Sequence, residues 1–248
     1  MNRILFEHDE IHGGVVRFGG VRADHVIDVL HAEKGDVFKT GEVDVLVGTG
    51  RVIAVDSAAR TVEMELDHRV ESLRPWVDIV LAPPRPRVMK RLLPQLAALG
   101  VGRIVLVGTK KVEKDFWGAT LLKDENMRPL LVEGLMQAGT SILPVVETRR
   151  NFRKFLLEEA DAMFPGSCRV AAHPGEGMEP AGPCARRPLL AIGPEGGWTD
   201  GEVEFMANCG FALRSLGPRI LKTETAAIAL LARLYPDHEV SSGKEGSK

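Results

Sequence analysis

The sequence predicts an α/β protein in which a small β-barrel precedes a parallel sheet covered by helices. Two patterns carry this prediction. Over residues 1–70, short runs with strand character follow one another and are broken by glycine, whereas from Trp76 onward strand-like and helix-like segments alternate. A chain of 248 residues, 44% of them apolar, is ample for two modules with their own cores. The expected division is residues 1–72, residues 73–240 and a polar tail, 241–248, read as disordered.

In chain order, residues 3–6, 14–18, 36–40, 43–47, 52–55 and 61–66 read as strands, with Gly13-Gly14, Gly19-Gly20, Gly48 and Gly50 breaking them. Residues 22–31 read as the helix of this module, with Val26, Val29 and Leu30 on one side. The second module opens with a strand at 77–82 and a helix at 88–99, whose apolar face would be Val88, Leu92, Leu96 and Leu99. A strand at 103–107, a helix at 130–138, a strand at 143–147, a helix at 152–160 and strands at 169–172 and 189–193 follow. Thr199-Asp200-Gly201-Glu202 spells a capping box, because the threonine hydroxyl and the glutamate carboxylate can each satisfy a free amide. The helix it starts should run to about residue 209, where Gly210 ends it. A strand at 211–216 and a helix at 225–234 complete the pattern. That last helix is apolar nearly all round, which places it inside the fold or at a subunit interface.

Bulk properties exclude several classes. No stretch approaches the roughly 18 apolar residues of a membrane span, and the first nine residues meet acids too early for a signal peptide, so a cytoplasmic location is expected. Cys168, Cys184 and Cys209 form no Cys-x-x-Cys pair and are expected to be reduced thiols. A formal net charge of -2 excludes a protein that coats nucleic acid by bulk attraction. RNA contact would have to be local, through Arg85, Arg87, Lys90 and Arg91, through Lys110, Lys111 and Lys114, or through Arg149, Arg150, Arg153 and Lys154; each cluster reads equally as solvated surface charge.

The residues that point to chemistry lie in two loops. Ile192-Gly193-Pro194-Glu195-Gly196-Gly197 leaves a buried strand and turns tightly before a capped helix, at the end of the strand where open α/β sheets bind ligands. Leu216-Gly217-Pro218-Arg219-Ile220-Leu221-Lys222-Thr223-Glu224-Thr225-Ala226 repeats strand, Gly-Pro turn and helix start. Neither loop is a phosphate cradle of the Gly-x-x-x-x-Gly-Lys type, and no Gly-x-Gly-x-x-Gly follows a strand. Acidic clusters with metal spacing and a Gly-x-Ser-x-Gly elbow are also missing from the sequence, so no metal is expected.

On these two motifs, with weaker support from Leu99-Gly100-Val101, from Gln137 and Gly139 before Pro144, and from His173-Pro174, the chain resembles the RsmE family of 16S ribosomal RNA uracil-N3 methyltransferases, of the SPOUT class. The resemblance runs from Arg3 to about Tyr235. It implies an RNA-binding barrel of the PUA-like type, an α/β domain whose carboxyl-terminal part is tied in a trefoil knot, and a homodimer. It also implies S-adenosylmethionine as methyl donor, held by His173, by Ile192, Gly193, Pro194, Glu195, Gly196 and Gly197, and by Leu216, Gly217, Pro218, Ile220, Leu221 and Thr225. The implied partner is ribosomal RNA or the small ribosomal subunit. Arg219 and Lys222 become the candidate cations at the reacting base. Glu224 is either catalytic or a carboxylate that stabilises a helix start.

Departures from the family pattern fall at Pro94, Ala98, Thr140, His31 and Lys222, mostly on the side that would face RNA. They leave open a methyltransferase acting on another RNA or base, or a non-enzymatic RNA-binding assembly protein. A side chain introduced at Gly196 is expected to block the approach of the ligand.

Overall fold

The computed structural model describes residues 2–175 and 179–236; the expected tail, 241–248, lies outside the described residues. The first sheet is built from β1 (Ile4–Phe6), β2 (Ile11–His12), β3 (Val15–Phe18), β4 (Val37–Glu42), β5 (Leu46–Asp56) and β6 (Thr61–Glu71). Its order is β1-β4-β5-β6-β3-β2, antiparallel throughout except that β1 runs parallel to β4. Strand alternation places Val16 and Phe18 of β3 and Val62 and Met64 of β6 on one face. The sheet curls round them and Phe6, Val26 and Val52.

Two expectations are corrected here. Residues 43–47 and 52–55 are not separate strands: residues 43–45 form a turn with Asp44 at φ 61°, and one long strand then runs through Gly48 and Gly50. The glycines sit inside the pairing because the neighbouring strands come too close for a side chain, at Gly50 through Thr40 Cγ2 at 2.8 Å. A Cβ on Gly48 would lie 2.0 Å from the Asp67 carbonyl oxygen. Residues 22–31 likewise do not form one regular helix. A short α1 (Gly20–Asp24) runs into a π-helical turn (His25–Val29), and the run ends with His31 in the left-handed region at φ 48°.

The second sheet contains β7 (Val77–Leu81), β8 (Val101–Val107), β9 (Val145–Arg149), β10 (Cys168–Ala172), β11 (Pro188–Ile192) and β12 (Ala212–Arg214), in the order β12-β10-β11-β7-β8-β9. β12, β10, β11 and β7 pair in parallel, and β7 and β11 are buried along their whole length. Such strands are apolar because helices cover both faces of a parallel sheet, and the one charge in them, Asp78 of β7, is paired with Arg187. The helices are α2 (Pro86–Ala98), α3 (Asp124–Ala138), α4 (Phe152–Glu158), α5 (Ala160–Met163), α6 (Asp200–Asn208) and α7 (Thr223–Leu234). Among the described residues no helix is long and apolar enough to cross a membrane.

The chain forms two compact units that interleave along the sequence: residues 1–76, 85–104 and 114–146, and residues 77–84, 105–113 and 147–248. Within the first, α2 lies directly against α3. A Cβ on Gly134 would lie 2.0 Å from the Pro94 carbonyl oxygen, so only glycine permits this approach. The buried face of α2 is Met89, Leu92, Leu93 and Leu96 rather than the expected row through Val88 and Leu99. Arg3 ties the start of β1 to this helix pair by donating to the carbonyls of Gly139, Thr40 and Gly48. The second unit carries the two loops singled out above. It also corrects the cysteine expectation, since Cys168 and Cys184 are joined, with Cα atoms 6.2 Å apart. Spacing could not show this, because it is the pairing of β10 with β11 that sets the Cys168 amide 3.0 Å from the Arg187 carbonyl.

Candidate cofactor site

β10, β11 and β12 are parallel neighbours, so their carboxyl ends deliver residues 173, 193 and 215 to the same edge of the sheet. At the end of β11 the chain folds into a turn in which the Gly197 amide donates to the Pro194 carbonyl, 2.8 Å, and Gly197 takes φ +68°. Gly193 is required by a close approach, because a Cβ there would meet the Trp198 ring at 3.1 Å. Trp198 is buried, stacks on Phe152 at 5.2 Å between ring centres and donates from Nε1 to the Ala172 carbonyl, 3.1 Å. One side chain thereby fastens the turn to the end of β10.

The turn is held from its far end as well. The capping box at the start of α6 forms as expected: the buried Glu202 carboxylate accepts from the amide and the hydroxyl of Thr199. It also accepts from the Lys110 amide, 3.0 Å, which joins α6 to the segment after β8. Burial alone would raise the Glu202 pKa. The donors from Thr199 and Lys110 outweigh it and hold the carboxyl below its ordinary value.

The second loop begins after β12 with a hydroxyl-capped turn, in which the Gly217 amide donates to Ser215 Oγ, 3.0 Å, and Gly217 takes φ +109°. It ends at Thr223, a buried residue whose hydroxyl donates to the Gly193 carbonyl at 3.5 Å, so the two loops meet. Between them lies a cavity of about 370 Å³, within the size range of small-molecule sites. His173 forms part of its wall; the His173 amide bonds the Arg214 carbonyl, while Nδ1 is buried with no partner among the described residues.

The cavity collects most of the expected residues. His173, the run 192–197, Leu216, Gly217, Arg219, Ile220 and Leu221 line it. Pro218, Lys222, Glu224 and Thr225 are not among the lining residues: Lys222 is the exposed N-cap of α7, Glu224 sits in its first turn and Thr225 is exposed on the same turn. Trp198, Thr223 and Ser215 line it without having been singled out. A tryptophan directly after Gly-Gly and before a capping box was a usable signal for the first. Thr223 is found only through a partner 30 residues away, and Ser215 through the local turn it caps for Gly217. Gly196 lines the cavity, and a Cβ there would also meet Lys111 Cδ at 3.1 Å, the aliphatic stem of a side chain from the segment after β8.

A glycine turn at the carboxyl end of a parallel strand, joined to a second glycine turn at a helix start, matches the position at which open α/β sheets bind ligands. The class is given by the family model of the RNA methyltransferase domain, which matches residues 71–235. Among relatives, the chain is 31% identical over 239 residues to the ribosomal RNA small subunit methyltransferase E of Treponema pallidum, an alignment spanning 94% of this chain and 90% of that one. It is 23% identical to ribosomal RNA small subunit methyltransferase E 1 of Borreliella burgdorferi, over 92% of this chain and 95% of that one. The chain belongs to this family of RNA methyltransferases, the RsmE family. The fold is shared with the ribosomal RNA small subunit methyltransferase E of Neisseria gonorrhoeae, solved bound to S-adenosylmethionine, at a TM-score of 0.72 and 21% identity over 94% of this chain and 95% of that one. It is shared equally with a Legionella pneumophila methyltransferase solved with bound SAM, at 0.71 and 24% over 93% and 95%.

Proposed function

We propose that this protein transfers the methyl group of S-adenosylmethionine to N3 of a uridine in small-subunit ribosomal RNA. The observation that carries the reading is the meeting of the two glycine turns at one cavity, through Thr223 and Gly193, in a chain of the RsmE family. The site suits the donor: its glycines let backbone approach a ligand closely, and His173 Nδ1 is a buried polar atom in the wall that a ligand group can satisfy. Bound there, the donor would supply an electrophilic methyl carbon; N3 forms the new bond to it as the bond to sulfur breaks, leaving S-adenosylhomocysteine, and the N3 proton passes to a base or to water.

The protein's part is placement and charge. Fixed turns hold one reactant in line with the other, which accounts for much of the rate of a metal-free transfer. Arg219 lines the cavity and is exposed, which supports it as a cation that would stabilise negative charge developing on the uracil oxygens, and the exposure of Lys222 supports a contact with RNA. Glu224, in the first turn of α7, is favoured there by the helix dipole as well as being a candidate base. We extend the reading to residues 1–72 as a PUA-like RNA-binding module, to residues 73–240 as a trefoil-knotted domain of the SPOUT type, and to a cytoplasmic homodimer.

The test is incubation of the purified protein with labelled donor and small ribosomal subunits or their RNA, followed by mass spectrometry of nucleosides. The expected product is 3-methyluridine. Label in a different nucleoside would move the acceptor, and donor binding without any transfer would favour an assembly role.

A further inference from the structure

We infer that Lys111 is a positioning residue of the methyl-donor site rather than a contact for RNA phosphate. The inference rests on the reading of the cavity as the donor site. In sequence Lys111 belongs to a basic cluster with Lys110 and Lys114, which suggests solvated charge or an RNA patch. In the structure its Nζ donates to the Gly196 carbonyl at 2.7 Å and reaches the Trp198 carbonyl at 3.5 Å. Its stem lies along Gly196, with Cδ, Cγ and Cβ all within 4 Å of where a Cβ on that glycine would stand.

The peptide between Gly196 and Gly197 is thereby held at both ends. Its N–H donates inward to Pro194 and its C=O accepts outward from Lys111. Glycines flank it on both sides, so without the lysine that peptide has little steric resistance to reorienting. Lys111 itself stands on a firm base. The Gly108 amide bonds the Arg149 carbonyl, the Phe152 amide bonds Gly108, and the neighbouring Lys110 amide is taken by Glu202. A Cβ on Gly108 would lie 2.2 Å from the Arg150 carbonyl oxygen, so the segment is packed tightly at its root. Residues 110 and 111 therefore grip the turn at Gly196 and again at Glu202. Lys111 is exposed, so solvent screens its charge, and its contribution is to fix the orientation of a carbonyl in the wall of the cavity.

Lys111→Met keeps the stem and removes the ammonium, and Lys111→Arg restores a charged donor. Calorimetric titration with S-adenosylmethionine should show Lys111→Met binding about tenfold more weakly, with Lys111→Arg recovering most of the loss. Affinity for small-subunit RNA and kcat at saturating donor should stay within about twofold of wild type, as expected when ground-state and transition-state binding weaken together. In donor-free protein, amide exchange across residues 193–199 should be faster in Lys111→Met. Wild-type donor affinity, or unchanged exchange together with weakened RNA binding, would overturn the inference. If wild-type protein bound no donor, the functional reading would fall instead, and the exchange measurement would still decide the role of Lys111.

Discussion

Trp198 performs three tasks at once, and their separation is a test at the scale of one residue. Its ring fills the space beside Gly193, stacks on Phe152 and anchors the turn to Ala172 through Nε1. Trp198→Phe keeps the stacking and leaves the Ala172 carbonyl without that donor, which should cost about 1–2 kcal/mol in urea denaturation. Trp198→Ala also empties the space and should cost about 3–5 kcal/mol. Equal losses in the two variants would show that the indole N–H carries the whole effect. Arg219 is read as acting on the reaction and not on the fold, so Arg219→Ala should lower kcat by about 10²-fold while leaving the urea midpoint unchanged. A change confined to donor affinity would reassign it to binding. The cavity-lining residues of the two loops were legible in sequence because glycine and proline mark turns wherever they stand. Lys111 was not, because nothing in the sequence around it names a partner 85 positions away.

At the scale of elements, Glu202 couples the start of α6 to the segment after β8, and its ionised form is the one that all its donors favour. Its pKa in the folded protein lies below the ordinary 4.5, so its contribution is present above that value and fades as pH falls through the folded pKa. Glu202→Gln should cost about 1 kcal/mol at neutral pH and should lose less stability than wild type on acidification from about pH 5 to 3. Parallel acid titrations of the melting temperature for the two proteins would refute this. The α2–α3 contact depends on Gly134. Alanine is the better helix former by about 1 kcal/mol at an exposed site, but here its Cβ would overlap the Pro94 carbonyl, so Gly134→Ala should destabilise by about 2–3 kcal/mol. A stabilised variant would mean that the helices separate freely. Most elements were visible as apolar periodicity, the capping box included. The single long β5 was hidden because Gly48 and Gly50 read locally as breaks, whereas it is the closeness of the neighbouring strands, β6 at Gly48 and β4 with β6 at Gly50, that makes them necessary.

For the whole molecule, the distribution of charge sets how RNA binding should respond to salt. The formal net charge is -2, and several cations that look like an RNA patch in sequence are engaged by partners in the same chain at its surface. Arg149 pairs with Glu159 and Glu147, Lys154 with Glu158, and Arg153 donates to the Gly201 carbonyl while lying over the Phe205 ring. Lys111 is turned onto Gly196. Each phosphate neutralised on single-stranded RNA contributes about -0.7 to the slope of log affinity against log salt concentration. A surface with about four phosphate contacts would give a slope near -3, a loss of about 60-fold between roughly 50 and 200 mM salt. A protein that used all three clusters would lose on the order of 10⁴-fold over the same range. Fluorescence anisotropy of a labelled small-subunit RNA fragment across that range should give the shallow slope. A slope of about -7 or steeper would show that these surface pairs open to meet RNA, and that groups engaged within the chain serve the substrate as well.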